Sequence, residues 1–358
     1  MSLFDSFQLS NVDLKNRIVM APMTRSRSDN EEALATELMA IYYAQRASAG
    51  LLITEGVFIN EYAVGYINVP RIQTEKQRDS WRQVAEKVHQ SNGKIFMQIW
   101  HVGASSHPDL LNGNLPLSPS GVNPNIKVYA KEGFVDTVDP KEMTLSDIET
   151  TIKDFAIAAK NAIEAGMDGI EIHAANGYLI NQFFQKSSNK RLDNYGGSIE
   201  NRSRFLFDIL DEIVKFVPID KVGIRFSPRL DDLGVKYDDE TDDLYRYITR
   251  RIEKEYKVAY LHFNGIISTK IKTEPEQVID IAKCMREDYS GVLMINTGLT
   301  KEIAEEILSE GYADLFSFGV PFIANPNFVE KLRNNEDLTP PKPEYFYTGG
   351  ALGYTDYQ

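Results

Sequence analysis

Gly169-Ile-Glu-Ile-His-Ala-Ala-Asn-Gly-Tyr178 is a short stretch whose two halves differ in character. Its apolar-alternating start, Ile170 to Ile172, predicts a short buried strand. Three hydrogen-bonding side chains, His173, Asn176 and Tyr178, follow where that strand ends. Histidine and asparagine can both donate to one acceptor oxygen, and a tyrosine hydroxyl can deliver a proton nearby. Because catalytic residues concentrate at strand ends, the stretch is interpreted as a candidate active site, with a satisfied strand-end histidine and an ordinary loop as the alternative.

Seven other apolar segments of strand length lie along the chain, with helical patterns between them. Eight strands that alternate with helices are the pattern of an α/β fold of the (β/α)8 or TIM barrel type. A doubly wound open sheet would need a glycine-rich phosphate-binding turn after the first strand, and Met20 to Arg25 contains none. The predicted strands are Arg17–Met23, Leu51–Glu55, Lys94–His101, the stretch quoted above, Val222–Ser227, Ala259–Phe263, Val292–Asn296 and Asp314–Phe318.

Helix signals lie between the strands. A serine or threonine followed three residues later by an acidic or amide residue predicts a capping box, in which the two residues satisfy each other's backbone N–H groups. Such pairs occur at Thr74 and Gln77 and at Ser146 and Glu149, each at the start of a run with helical spacing. The predicted helices are one through Leu34, Leu38 and Tyr42 that ends near Gly50, one from Thr74 to Asn92, one after Ser146 and one from Ser198 to Val217.

No domain boundary interrupts this pattern, so residues 1–358 are predicted to form a single domain. Short apolar pieces within residues 1–16 suit an N-terminal hairpin that plugs one end of the barrel. Residues 102–140, after the third strand, are rich in proline, glycine, asparagine and serine and hold two alternating segments, at Lys127 and at Gly133. Because loops this long are usually functional or disordered, this insertion is predicted to be a hairpin-bearing lid over the site.

Charge and composition exclude several classes of function. The chain has 39 Lys and Arg residues against 52 Asp and Glu, a net charge of −13, and such an acidic surface repels nucleic acids and anionic membranes. No run of about 18 apolar residues is present to span a membrane, and no Cys/His cluster has metal-ligand spacing. The single Cys284 leaves no intrachain disulfide framework. With no signal peptide evident, a cytoplasmic monomer or homodimer is expected.

A longer pattern follows the first stretch. Ser187 to Arg202 is dense in charge, glycine and amide groups, and its glycine pair breaks any helix before Ser198. His-x-x-Asn-x-Tyr followed by Asn-x-Arg-x-Asp-x-Tyr-Gly-Gly-Ser-x-Glu-Asn-Arg resembles the signature of the Old Yellow Enzyme family of flavin-dependent ene-reductases. The resemblance runs essentially end to end. It implies the same (β/α)8 barrel, with FMN as cofactor and NADPH or NADH as reductant.

The resemblance also implies a set of cofactor-binding residues. Gln98 would match the donor–acceptor edge of the flavin pyrimidine with its carboxamide, Arg225 would stabilise negative charge near N1 and O2 of the reduced ring, and Thr24 would donate near O4. The alternatives are ordinary strand polarity for Gln98 and Thr24, and an internal ion pair for Arg225, although no carboxylate partner stands out. The remaining implied contacts are Pro22, Met23, Gly56, Asn296, Gly298, Phe318 and Gly319.

The reaction that the resemblance implies is transfer of a hydride from NAD(P)H, through the flavin, to an electron-poor alkene. The oxidants are α,β-unsaturated carbonyl compounds and maleimides, and the same chemistry extends to nitro compounds and nitrate esters. His173 and Asn176 would donate hydrogen bonds to the oxidant's oxygen, and Tyr178 would protonate its α-carbon. The implied aromatic walls of the substrate pocket are Tyr66, Trp100 and Tyr347.

One position departs from the family pattern. The family often has an arginine after the Phe-Gly of the eighth strand, where it contacts the flavin phosphate, and this chain has Val320. Backbone N–H groups near Gly298 and Gly319 could hold the phosphate instead; lower FMN affinity and substitution by another arginine are the open alternatives. The alternative function is a flavin-binding protein with a redox-sensing or ligand-binding role. A metal-dependent barrel hydrolase is disfavoured, because His173 lacks carboxylates at ligand spacing.

Overall fold

Eight parallel strands form a closed barrel at the centre of the computed structural model, which describes residues 1–265 and 274–358. The barrel closes where the eighth strand pairs with the first, with Phe316 opposite Ile18. The predicted TIM barrel is confirmed, and every predicted strand is present with trimmed or shifted ends. In chain order the barrel strands are Ile18–Met20, Leu51–Ile53, Ile95–Trp100, Gly169–Ala174, Val222–Phe226, Tyr260–Asn264, Leu293–Asn296 and Leu315–Phe318.

Helices surround the barrel, and several begin at side chains that cap them. The predicted capping box that starts at Thr74 is confirmed. The prediction of a box at Ser146 is wrong: the box starts at Thr144, whose hydroxyl accepts the N–H of Asp147 while the Asp147 carboxylate accepts the N–H of Thr144. The α-helices are Glu37–Gln45, Glu75–Gln90, Leu145–Glu164, Leu179–Phe184, Ile199–Ile213, Thr241–Glu255, Pro275–Arg286, Lys301–Ser309, Val320–Ala324 and Phe328–Asn334.

The first of these helices is shorter than predicted. It begins after Thr36, whose hydroxyl accepts the N–H of Met39, so Leu34 lies in the preceding loop. After Gln45 the backbone makes tight turns with hydrogen bonds between residues three apart, which end the helix well before Gly50.

Inward-facing side chains form layers of different polarity along the barrel axis. At the N-terminal end of the strands an apolar layer includes Phe96 and Tyr260, and the predicted N-terminal hairpin, Phe7–Leu9 with Val12–Leu14, packs against it. Gly169 leaves room for this layer, since a Cβ atom there would lie 2.4 Å from the Phe96 ring. Polar side chains fill the layers toward the C-terminal ends of the strands, which is where barrel enzymes place their sites.

The insertion at residues 102–140 contains the predicted pair of alternating segments. Lys127–Ala130 pairs antiparallel with Gly133–Asp136. Tyr129 and Phe134 meet edge to face on this hairpin, with ring centroids 5.1 Å apart, and both rings are exposed. At the base of the insertion, short strands at Leu117–Ser118 and Lys141–Glu142 pair in parallel. Closure of this hairpin over the site stays a prediction.

Candidate active site

His173 lies near the C-terminal end of the fourth barrel strand, and it is 4% exposed. Its Nδ1 accepts the backbone N–H of Ala175 at 3.3 Å, so the proton of the neutral ring lies on Nε2. Burial lowers the pKa of His173 well below its usual value, and the charge of Arg225 lowers it further. The ring is therefore neutral near pH 7 and offers Nε2–H as a donor.

Asn176 has a carboxamide whose orientation is fixed by two neighbours. Its Oδ1 accepts from Asn264 Nδ2 at 2.9 Å and from Ser227 Oγ at 3.1 Å, which leaves Nδ2 as the group for a ligand. The backbone is left-handed at Asn176 and Gly177, with φ of +57° and +74°, a conformation that asparagine tolerates and glycine favours. The sequence did not single out Asn264 or Ser227, although each ends or directly follows a barrel strand.

Four rings group around the end of the fourth strand. Trp100 stacks beside His173 with ring centroids 5.7 Å apart, and its edge meets Tyr178 at 4.8 Å. Tyr66 stacks on Trp100 at 5.5 Å, and the hydroxyls of Tyr66 and Tyr178 are 3.0 Å apart. Burial raises the pKa of Tyr178 well above its usual value, and Tyr66 raises it further. The structure thus brings together these four predicted site residues and keeps the Tyr178 phenol protonated at neutral pH.

A continuous chain of hydrogen bonds connects Asn176 with Arg225 across the barrel. Thr297 Oγ donates to Asn264 Oδ1 at 2.8 Å, and Asn264 in turn donates to Asn176. Thr297 Oγ also lies 3.1 Å from Asn296 Oδ1, which accepts from Arg225 Nη2 at 3.0 Å. Because each member fixes the next, the donor at Asn176 and the cation at Arg225 are held by one network.

A cavity of about 340 Å³ opens beside this chain, and its walls include most of the predicted cofactor residues. Arg225 is 6% exposed. Among the residues that the structure describes, its Nε has no hydrogen-bond partner, and it is the only cation that lines the cavity. An acceptor-rich or anionic ligand would satisfy this buried donor. The backbone is left-handed at Thr297 and Gly298, with φ of +79° and +69°. The predicted residues in the walls are Pro22, Met23, Arg225, Asn296, Gly298, Phe318 and Gly319.

Glu171 is a buried carboxylate in the middle of the fourth strand, and the sequence pattern did not point to it. Its Oε1 accepts from Gln98 Nε2 at 2.8 Å, and its Oε2 accepts from Tyr260 OH at 3.1 Å and from His262 Nδ1 at 2.8 Å. Desolvation raises the pKa of Glu171, but His262, Arg225 and Gln98 together hold it below its usual value. His262 itself is neutral, because burial lowers its pKa. Glu171 is therefore ionised, and the available signal was a charged residue inside an apolar strand.

No carboxylate partner for Arg225 stands out in the sequence, and in the structure Glu171 is an electrostatic neighbour that forms no ion pair with Arg225 within 4.0 Å. Burial lowers the pKa of Arg225, and the charge of Glu171 opposes that shift, although the two groups share no direct hydrogen bond. Glu171 also orients Gln98, which is 3% exposed: with Nε2 bound to the carboxylate, Gln98 Oε1 is left as an acceptor.

Three predicted cofactor contacts, Gln98, Thr24 and Gly56, lie outside the cavity walls. Thr24 follows Met23 on the loop after the first strand and is partly exposed. Gly56 is buried against Trp100, where a Cβ atom would lie 2.2 Å from the indole ring. The structure therefore gives Gly56 a packing role, while its contact with a cofactor stays a prediction.

Tyr347 and Val320 lie at the exposed rim of the site, outside the group of four rings around the end of the fourth strand. Tyr347 is 60% exposed. Burial is the main cause of the raised pKa values of Tyr66 and Tyr178, and Tyr347 raises both values further, which places it near both residues. Val320 is 55% exposed and begins the short helix that follows Gly319. Its side chain cannot pair with a phosphate.

The donor set fits FMN on the chemistry of this structure. The unpaired Nε of buried Arg225 suits a negatively charged or acceptor edge, and the oriented carboxamide of Gln98 suits a mixed donor–acceptor edge. Across the described ranges, 1–265 and 274–358, no group of three or more His, Cys, Asp and Glu side chains is placed to hold a metal ion. Within the same ranges no helix combines the length and the apolar character that crossing a membrane requires.

Comparison with known proteins gives consistent matches over nearly the whole chain. A family model described as the NADH:flavin oxidoreductase / NADH oxidase family matches residues 2–338. The chain is 36% identical over 372 aligned residues to 12-oxophytodienoate reductase 7 of Oryza sativa subsp. japonica, covering 99% of this chain and 94% of that protein. It is 36% identical over 350 residues to a Leishmania infantum protein named "Probable flavin mononucleotide-dependent alkene reductase", and the alignment covers 96% of this chain and 93% of that protein. A solved structure of the old yellow enzyme homologue from Zymomonas mobilis superposes with a TM-score of 0.93 at 33% identity. The superposition covers 100% of this chain and 99% of that one.

Proposed function

The chain belongs to the NADH:flavin oxidoreductase / NADH oxidase family, and we propose that it is an FMN-dependent NAD(P)H oxidoreductase that reduces activated carbon–carbon double bonds. Its oxidants are α,β-unsaturated carbonyl compounds and maleimides, with nitro compounds and nitrate esters in the same electron-poor class. The reaction consumes the alkene, NAD(P)H and a proton, and yields the saturated product and NAD(P)+. The observation that carries the proposal is the pair of oriented neutral donors, His173 Nε2–H and Asn176 Nδ2–H, with protonated Tyr178 beside them.

The donor pair activates the oxidant. When hydride reaches the β-carbon of an enone, negative charge develops on the carbonyl oxygen, and donors already held in place stabilise that charge without reorganising. Because burial and Arg225 keep His173 neutral, His173 donates a hydrogen bond rather than a proton. Asn176 is held by Asn264 and Ser227, so its donor does not need to be ordered by the oxidant. Loss of one such donor typically costs about 100-fold in rate.

Tyr178 is the proton donor in this proposal. Its pKa is raised by burial and by Tyr66, so the phenol keeps its proton at neutral pH until the α-carbon accepts it. Edge contacts with His173, at 5.1 Å, and with Trp100, at 4.8 Å, fix the orientation of its ring. The Tyr66 hydroxyl, 3.0 Å from that of Tyr178, is the neighbour through which the proton can be replaced.

The residues that would hold FMN line the cavity, except for Gln98, which is buried in the barrel outside the cavity walls. They are Arg225 through its unpaired Nε, Gln98 through Oε1, and the backbone around Gly298 and Gly319. When bound, FMN supplies the hydride that it has taken from NADPH or NADH. The two relatives named as reductases support this substrate class, and one of them carries flavin mononucleotide in its name.

Tyr178→Phe tests the proposal in FMN-loaded protein. The rate of flavin reduction by NADPH should stay within about twofold of wild type, because no proton is needed from Tyr178 in that step. Reoxidation by 2-cyclohexenone should slow by about 10²- to 10⁴-fold, the range for loss of a general acid. Stopped-flow absorbance of the flavin separates the two half-reactions. An equal loss in both would contradict the role of Tyr178.

Tyr237→Phe is the matched control. Tyr237 is 42% exposed, and its hydroxyl donates to Asp242 on the surface. Both half-reactions of this variant should run at wild-type rates. If wild-type protein binds FMN but does not oxidise NADPH in the presence of cyclohexenone, the flavin-binding sensor or ligand-binding alternative is favoured instead.

A further inference from the structure

Two buried arginines follow the predicted cofactor contacts on the loop after the first barrel strand. Pro22 and Met23 line the cavity and Thr24 comes next, while Arg25 and Arg27 are each 1% exposed. Neither guanidinium group lies in an ion pair with a described carboxylate within 4.0 Å. A buried cation needs acceptors, and here the acceptors are backbone carbonyl groups of a C-terminal segment, residues 345–353.

Arg25 ties two points of this segment to the barrel. Its Nε donates to Phe346 O at 3.0 Å, and its Nη2 donates to Gly353 O at 2.8 Å. Its Nη1 donates to Tyr42 OH at 3.1 Å, on the helix Glu37–Gln45. The segment is therefore connected through one side chain to both the first strand's loop and the first helix.

Arg27 holds the same segment through neighbouring carbonyl groups. Its Nη1 donates to Phe346 O and its Nη2 donates to Tyr345 O, both at 2.9 Å. Its guanidinium lies 4.6 Å from the centre of the Tyr354 ring, and Tyr354 stacks on Tyr42 with centroids 4.0 Å apart. Hydrogen bonds from charged donors are stronger than neutral ones. The segment therefore has a firm base, although its residues 347–352 are exposed.

Tyr347 directly follows the carbonyl group that both arginines bind, that of Phe346. Its own side chain is 60% exposed, yet it lies near enough to Tyr66 and Tyr178 to contribute to the pKa of each. An exposed ring gains little orientation from its own packing, so its place at the rim depends on the backbone that carries it. Arg25 and Arg27 supply that constraint.

We propose that Arg25 and Arg27 are positioning residues that select the oxidant by size: they hold residues 345–353 so that Tyr347 forms the outer wall of the pocket that contains Tyr178. This inference rests on the proposed function, because it assigns the wall to the same oxidant site. The loop that carries the arginines also carries Pro22–Thr24. The same loop therefore positions both the predicted cofactor contacts and the outer wall of the pocket. A large oxidant reaches the wall, whereas a small one binds without it.

A double-mutant cycle between Arg27→Met and Tyr347→Ala tests the proposal in FMN-loaded protein. With a bulky bicyclic enone, Arg27→Met should raise KM about tenfold while kcat changes less than about twofold, because positioning of the wall is lost and the chemistry is not. With 2-cyclohexenone, KM should change less than about twofold. In the Tyr347→Ala background, Arg27→Met should add no further change. An effect of equal size in both backgrounds would overturn the proposal.

Hydrogen exchange of residues 345–353 separates this proposal from the proposed function. Arg27→Met should speed exchange there whether or not the chain reduces alkenes. A loosened segment with an unchanged KM for the bicyclic enone would contradict the positioning role alone. Wild-type protein that reduces neither enone would contradict the proposed function and the wall's role with it.

Two further variants control for loss of folding. Arg202 is also 1% exposed and donates to Phe184 O and to Glu240 on other elements. Arg202→Met should lower Tm and leave both KM values unchanged. Arg27→Lys keeps the charge but loses the fork that reaches two carbonyl groups, so it should shift KM for the bicyclic enone in the same direction and by less. If Arg27→Met does not fold, an unchanged KM in Arg27→Lys contradicts the proposal.

Discussion

Two buried glutamates of the barrel have opposite acid–base behaviour. Glu171, in the fourth strand, and Glu55, just after the second, are both 0% exposed. Desolvation raises the pKa of each carboxyl group, but that of Glu171 ends below its usual value and that of Glu55 rises to about 7. Burial is the same at the two positions, so burial alone does not set the charge.

The hydrogen-bond donors around the two carboxylates explain the difference. Both oxygens of Glu171 accept from side chains of other barrel strands, the third and the sixth. In Glu55, Oε2 lies 3.5 Å from the backbone N of Arg25, and Oε1 has no hydrogen-bond partner among the residues that the structure describes. The charges of Arg25 and Arg27 lower the pKa of Glu55 without offsetting the desolvation. A buried carboxylate stays ionised when donors satisfy both oxygens, and otherwise it tends to take a proton.

Glu171→Gln should give the largest effect, because it breaks the satisfied network. An amide has a single acceptor oxygen, so at least one buried donor loses its partner, and Arg225 loses the charge that opposes its desolvation. Removal of one partner from a buried charged network costs about 3–5 kcal/mol of unfolding free energy. Urea unfolding at pH 7 measures it, with exposed Glu132→Gln as a control that should change nothing. A loss below about 1 kcal/mol would mean that Glu171 is not ionised.

Glu55→Gln should give the next largest effect. It should stabilise the protein where Glu171→Gln destabilises it, and the gain should depend on pH. The folded-state pKa of Glu55 is raised, so its contribution to stability is full below the unfolded pKa of 4.5 and is lost as pH rises through about 7. Glutamine has no such loss. The unfolding free energy of the variant, relative to wild type, should therefore grow by about 2–3 kcal/mol between pH 5 and pH 8. A relative stability that is flat across this range would contradict the raised pKa.

The fold could be predicted because its strongest signals are local. Strands of a parallel barrel are buried on both faces and read as continuous apolar runs, as at Leu51–Ile53 and Ile95–Trp100. The residues at which helices begin were harder to predict from the sequence. Thr144 and Ser146 both fit the capping pattern, and only the backbone geometry decides in favour of Thr144.

The candidate site could be predicted only in part, for the same physical reason. His173, Asn176 and Tyr178 lie within one short stretch, so their association is visible in the sequence. Asn264, which orients Asn176, and Glu171, which orients Gln98, act on residues of other strands. Such pairs become neighbours only when the barrel closes, and no local periodicity indicates them. Tyr347 was predicted as a wall, but the arginines that hold its backbone lie at the other end of the chain.

Tyr260→Phe should give the smallest effect and is the sharpest test of the contrast between the two glutamates. It removes one donor to Glu171 Oε2 and keeps the ring, while Gln98 and His262 still donate. The expected loss at pH 7 is about 1 kcal/mol of unfolding free energy, the usual net value of one hydrogen bond.

The pH dependence of that loss decides its origin. Because the folded-state pKa of Glu171 is lowered, its stabilisation is present above the unfolded pKa and is lost as pH falls through the folded one. Loss of a donor raises the folded-state pKa of Glu171. The difference in unfolding free energy between wild type and Tyr260→Phe, the gap, should therefore narrow from pH 7 to pH 3, as followed by urea unfolding. The surface variant Tyr237→Phe should show no gap at either pH. If the Tyr260→Phe gap keeps its full size in acid, Tyr260 acts through packing, and the number of donors would not be what separates Glu171 from Glu55.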